Sequence, residues 1–162
     1  MTQTSGSIDA MKTLQLPKGL FTIVDDEDFE RASKFSWHLN DKGYVVRDSK
    51  RGGSREFQYL SRFIMNAPKG VLVDHKQGNL LDNRKSELRF CNHQQNACNR
   101  GKQRNNTSGF KGVFWHKRTL KWQVCIRVNL KLIHIGCFDL IESAAAAYAD
   151  AAKKYHGEFA RT

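Results

Sequence analysis

The chain has 162 residues, 40% of them hydrophobic and 27% charged, a globular composition that excludes wholesale disorder and allows one domain or two small ones. Lys and Arg number 27 against 16 Asp and Glu, a formal net charge of +11, which favours a polyanionic partner, nucleic acid before a membrane. No apolar run approaches the roughly 18 residues of a membrane span, and the opening MTQTSGSIDAMK lacks an apolar stretch of signal-peptide length, so a cytoplasmic protein is expected.

The charge is uneven. Residues 1–73 carry 11 basic and 9 acidic side chains, residues 74–99 carry 4 and 3, and residues 100–162 carry 12 and 4. Most of the excess therefore lies in the last third. The four cysteines, Cys91, Cys98, Cys125 and Cys137, form no Cys-x-x-Cys pair and read as ordinary semi-buried thiols rather than a zinc site or a disulfide framework.

Residues 1–17 are expected to be a flexible N-terminus. Residues 18–66 read as a small α/β segment with a short apolar run (Phe21, Ile23, Val24), an acidic helix start (DDEDFERASKF) and an extended stretch at Tyr44–Val46. Asp25 or Asp26 can cap that helix, and Asp28 and Glu30 suit its positive end. Trp37 and Phe35 are expected to close a small core against Tyr59, Phe63 and Ile64.

In residues 67–99, Val71–Val73 is a short β-branched run ending in Asp74-His75. A polar loop, KQGNLLDNRKSE, leads to a second short strand, Leu88–Phe90, and a short helix over His93–Arg100. Side chains adjacent in a strand leave on opposite faces, so one of Asp74 and His75 can hold a metal while the other faces water. Asn96 on the helix could complete the protein ligands with an amide oxygen. That hard, sparse set suits Mg²⁺ or Mn²⁺, which keep several waters and accept phosphate oxygens. Arg89 and Arg84 are candidate phosphate clamps, because a guanidinium fork matches two phosphate oxygens.

The run VDHKQGNLLDNRKSELRFCNHQQNACNR, residues 73–100, resembles the His-Asn-His nucleases of phage and intron homing endonucleases. The resemblance implies a ββα-metal core at about residues 71–99, inside a nuclease domain spanning 18–99. It makes Asp74 and Asn96 the metal ligands and His75 the general base. The family's central Asn falls at Glu87, and an ionised Glu cannot donate as an amide does; Asn83 is the alternative brace for the loop. The family's usual Met-His-Arg triplet is Leu60-Ser61-Arg62 here.

The stretch Asn99–Ser108 (NRGKQRNNTS) is polar and basic and reads as a linker, residues 100–107, with Lys102 and Arg104 along phosphates. Residues 108–162 read as three strands and a helix. The strands are Gly109–Trp115, Trp122–Val128 with period-two alternation, and Lys131–Ile135 after a tight turn at Asn129-Leu130; Gly136 is expected to end the third. The helix runs over Ile141–His156, with a stripe of Ala144, Ala147, Tyr148, Ala151, Ala152 and Tyr155. If the even positions of Trp122–Val128 face that helix, then Phe114, His116, Gln123, Cys125, Arg127, Leu132 and His134 lie on the outer face, where a sheet can read a major groove. This block resembles the ethylene-response-factor, or APETALA-type, DNA-binding domain, and the resemblance puts Lys111, Phe114, His116, Arg127 and His134 at DNA-contacting positions, with Arg118 and Gln123 beside them.

The expected fold class is α+β: the N-terminal α/β segment, the ββα-metal core, and a three-stranded antiparallel sheet packed on one helix. The expected function is a divalent-metal-dependent endonuclease on double-stranded DNA, with no membrane partner and no small-molecule cofactor. It is expected to act as a monomer, in the host cytoplasm if phage-encoded. The competing reading is a DNA-binding regulator whose nuclease core has decayed.

Overall fold

The computed structural model describes residues 11–51 and 54–162. These form a mixed α and β protein with several small antiparallel sheets and four α-helices. The chain divides into two compact units, residues 1–91 and 92–162. No helix among the described residues is long and apolar enough to cross a membrane.

The first unit begins with β1 (Met11–Gln15) paired antiparallel to β2 (Phe21–Asp25). Residues 1–10 of the expected flexible stretch lie outside the described residues. Residues 11–15, also expected to be flexible, instead form β1, whose Leu14 is buried in the core. Next comes α1 (Asp26–Ser33), with Asp26, Glu27 and Asp28 in its first turn, where the helix dipole favours them. Asp25 is the residue at its N-cap but makes no side-chain capping bond; its carboxylate accepts the Lys85 backbone N–H at 2.7 Å instead. A distant loop has taken the acceptor that a local reading assigned to the helix.

Strands β3 (His38–Leu39), β4 (Val45–Arg51) and β5 (Ser54–Tyr59) form an antiparallel sheet in that order, followed by α2 (Leu60–Ile64). The core gathers Leu14, Leu16, Val24, Ala32, Trp37, Val45, Leu60, Ile64 and Leu88. Trp37 also satisfies its indole N–H on the Ala32 carbonyl at 2.9 Å. Phe35 makes edge contacts with Trp37 and Phe63 as expected but stays exposed, with the Arg47 guanidinium 3.4 Å from its ring centre. Tyr59 pairs with Tyr44 instead of joining Trp37. Arg62 of α2 donates to the carbonyls of Ala67, Pro68 and Val71, pinning the approach to β6 (Leu72–His75). Strand β6 pairs antiparallel with β7 (Leu88–Cys91), setting Asp74 opposite Arg89 and His75 opposite Leu88.

The second unit opens with α3 (His93–Asn99). A reciprocal capping box starts it: the Asn92 side chain accepts the Gln95 N–H and the Gln95 side chain accepts the Asn92 N–H, both at 2.8 Å. The division after Cys91 puts this helix with the C-terminal residues, and the 100–107 segment expected as a linker lies inside the second unit. The cause is visible in Lys111, whose ammonium donates to the carbonyls of Cys98 at 2.6 Å and Arg161 at 3.1 Å.

Strands β8 (Val113–His116), β9 (Lys121–Val128) and β10 (Lys131–Phe138) form an antiparallel sheet in the order β10-β9-β8, and α4 (Ile141–His156) packs on one face. Val124 and Ile126 meet Ala144, Tyr148, Ala151 and Ala152 in the core. Tyr155, expected in that stripe, is exposed. Alanine lets the helix lie close, and Gly112 (φ +70°) completes the approach: a Cβ there would stand 2.1 Å from the Tyr148 ring. Gly136 does not end the third strand. A register shift between His134 and Gly136 carries pairing on to Phe138, because a bulge absorbs the extra residue. Asn129 and Leu130 both adopt positive φ, the two-residue turn whose twist suits a hairpin.

Candidate functional site

Asp74 and His75 end β6 and are both buried, 7% and 4% exposed. The period of two sends them to opposite faces, and each meets a different partner. Asp74 accepts from Arg89 Nε at 3.0 Å and Nη2 at 2.8 Å, both on Oδ2. Antiparallel pairing places these two residues directly opposite each other. Arg89, expected as a phosphate clamp, is itself buried and orients the carboxylate. Arg84 grips Asp82 with Nε at 2.9 Å and Nη2 at 2.6 Å, and that bond holds the Asp82 carboxyl below its ordinary pKa.

His75 Nε2 lies 3.3 Å from Asn83 Oδ1, and Asn83 is only 1% exposed. The Asn83 amide nitrogen donates to Thr22 Oγ1 at 3.0 Å and to the Leu80 carbonyl at 3.2 Å. With its nitrogen used in this way, Asn83 offers His75 an acceptor oxygen, so Nε2 carries the ring proton and the basic lone pair of the neutral ring is at Nδ1. Burial pushes the imidazole pKa below 6.5, against the opposing hydrogen bond to Asn83 and the charges of Asp74, Asp82 and Glu87. The ring is therefore neutral at pH 7, the state that a general base requires.

Asn83 also fixes the loop. Its N–H donates to the Ile23 carbonyl at 2.8 Å, and the Ile23 N–H donates to Leu81 at the same distance, so residues 81–83 run as a short parallel bridge along β2. Glu87 instead closes the neck of the loop: its carbonyl accepts the Lys76 N–H at 2.9 Å and its carboxylate accepts Gln77 Nε2 at 3.2 Å. Thr22 was missed in the sequence. It lies 61 residues from Asn83, and no local spacing signals such a pairing.

Among the described residues, no group of three or more His, Cys, Asp or Glu side chains could hold a metal ion. Asp74 is of the hard oxygen-donor type that a divalent ion takes, with its Oδ2 already engaged by the Arg89 guanidinium. Asn96, expected to be the second ligand, lies on α3 in the second unit, so its pairing with Asp74 rests on the resemblance alone.

The residues expected on the outer face of the second unit's sheet differ in exposure. Arg127 and His134 are exposed, as is Phe114 at 42%, while His116 and Gln123 are half-buried. His134 is held by Gln123 at 3.1 Å and His116 by Thr119 at 2.8 Å. Cys125, placed on the same face, is buried, and that burial pushes its thiol pKa up. Lys102, Arg104 and Arg118 are exposed. Lys111 does not belong with them: it is half-buried, its ammonium is committed to two carbonyls, and burial lowers its pKa.

No protein-family profile and no solved structure matches the chain significantly. Two curated proteins do. Protein 3.8 of Escherichia phage T7 is 34% identical over 94 residues, 58% of this chain and 77% of that protein. An uncharacterised HNH endonuclease of Acanthamoeba polyphaga mimivirus is 30% identical over 144 residues, 88% of this chain and 74% of that protein. This second similarity runs through both units, and with it the chain belongs to the HNH endonuclease family.

Proposed function

We propose that the chain is a divalent-metal-dependent endonuclease that hydrolyses phosphodiester bonds in duplex DNA, of a nicking or homing type. The first unit cuts, and the second, an APETALA-type sheet on one helix, docks in the major groove. The observation that carries this reading is a buried His75 beside Asp74, with its Nε2 3.3 Å from Asn83 Oδ1 and burial pushing its pKa down.

His75 Nδ1 takes a proton from water, and the resulting hydroxide attacks phosphorus in line, with the 3′ oxygen leaving. Arg89 keeps the Asp74 carboxylate oriented. Asp74 and Asn96 would hold Mg²⁺ or Mn²⁺, which when bound stabilises charge on the phosphate and the leaving oxygen. Exposed Lys102, Arg104, Arg118 and Arg127 neutralise backbone charge or reach base edges. With one centre per chain, a monomer acting in the cytoplasm nicks one strand.

Supercoiled plasmid incubated with Mg²⁺ should relax to open circles, while EDTA or His75→Ala stops the reaction without abolishing DNA binding. Undiminished nicking by His75→Ala would overturn the assignment. The regulator reading is favoured by Glu87 at the family's central position; binding without nicking by the unaltered protein, in Mg²⁺ and in Mn²⁺, would select it.

A further inference from the structure

Thr22 is fully buried on β2, a position where valine would have the same shape and avoid burying a hydroxyl. The hydroxyl is used twice: it donates to the Leu81 carbonyl at 2.8 Å and accepts from the Asn83 amide at 3.0 Å. Because its only hydrogen is committed to Leu81, Thr22 can meet Asn83 only as an acceptor. The Leu80 carbonyl, 3.2 Å from the same amide nitrogen, is also only an acceptor. Both therefore require the Asn83 NH₂ on their side, which turns Oδ1 toward His75 Nε2.

We infer that Thr22, outside the nuclease motif, is a positioning residue that fixes the Asn83 amide and through it the Nε2–H tautomer of His75. The chain of bonds runs in one direction, from Leu81 through Thr22 and Asn83 to His75. Reversing the amide would set its oxygen against the Leu80 carbonyl and turn an N–H toward a protonated ring nitrogen. The N-terminal hairpin thus joins the motif's own Leu80 carbonyl in setting which imidazole nitrogen is basic. Its catalytic consequence rests on the endonuclease reading proposed above; the tautomer itself does not.

The test therefore has two independent readouts on the full chain. Nitrogen-15 chemical shifts of His75, recorded without DNA or metal, should show a protonated Nε2 in the unaltered protein and in Thr22→Ser. Thr22→Val should give a mixture of tautomers. In plasmid nicking with Mg²⁺, Thr22→Val should lower the single-turnover rate by about 10- to 100-fold, the usual range for a group behind the reacting residues. DNA affinity should stay unchanged, and Thr22→Ser should recover the rate. If Thr22→Val does not fold, Thr22→Ala supplies the same contrast, and an unaltered tautomer there would overturn the inference. A ring protonated at Nδ1, or a Thr22→Val protein with unaltered shifts and rate, would overturn the inference. If the unaltered protein shows the expected tautomer but never nicks DNA, the endonuclease reading fails and the positioning role stands.

Discussion

The two units bury different chemistry. Among the described residues, the first unit buries Thr22, Asp28, Ser61, Asp74, His75, Asp82, Asn83 and Arg89, while the second buries one polar side chain, Asn99, and has a core of valine, isoleucine, alanine and tyrosine. Buried ionisable groups are costly unless paired, and a fold that retains several in one place is organised around a site. The second unit buries no charged side chain fully; Lys111 is half-buried. One unit is built to hold reactive groups still, and the other to present a surface.

Arg89→Leu is the sharpest way to break the first unit. It leaves Asp74 buried without its guanidinium, and should destabilise that unit by about 3–5 kcal/mol, read by chemical denaturation, with the second unit's transition unmoved. Gly112→Ala is its counterpart. The added methyl meets Tyr148 and the Cys125 carbonyl at a backbone position with positive φ, so the second unit should lose about 3 kcal/mol, and DNA binding should weaken with it.

A smaller effect comes from acid. Burial lowers the folded pKa of His75, so below about pH 6.5 the unfolded chain binds the proton more readily than the folded one. The first unit's stability is therefore full above that pH and declines as pH falls through the folded value; His75→Gln should flatten this part of the profile. Arg127→Ala should cost about 1–3 kcal/mol on the preferred DNA site and less on others. A loss equal on all sequences would make the sheet an electrostatic platform only. The smallest change is Leu130→Gly. Leu130 is 85% exposed at φ +65°, and relieving that conformation should stabilise the second unit by about 0.5–1 kcal/mol, measured by thermal melting.

The sequence by itself determined the elements whose signals are local. Strand alternation in Trp122–Val128, the alanine stripe of α4 and the short runs around Asp74-His75 all reappear at nearly the expected bounds, because period and propensity act over a few residues. Tertiary structure decided what those elements hold. Arg89 turned from a clamp into the partner of Asp74 because antiparallel register sets the two opposite each other. Asn83 rather than Glu87 reached His75 because residues 81–83 run along β2. Lys111 left the DNA-facing set because two carbonyls take its ammonium, and Thr22 entered the site from 61 residues away in sequence. Each of these outcomes is a hydrogen bond that local pattern does not signal, and buried or half-buried polar groups take partners wherever the fold provides them.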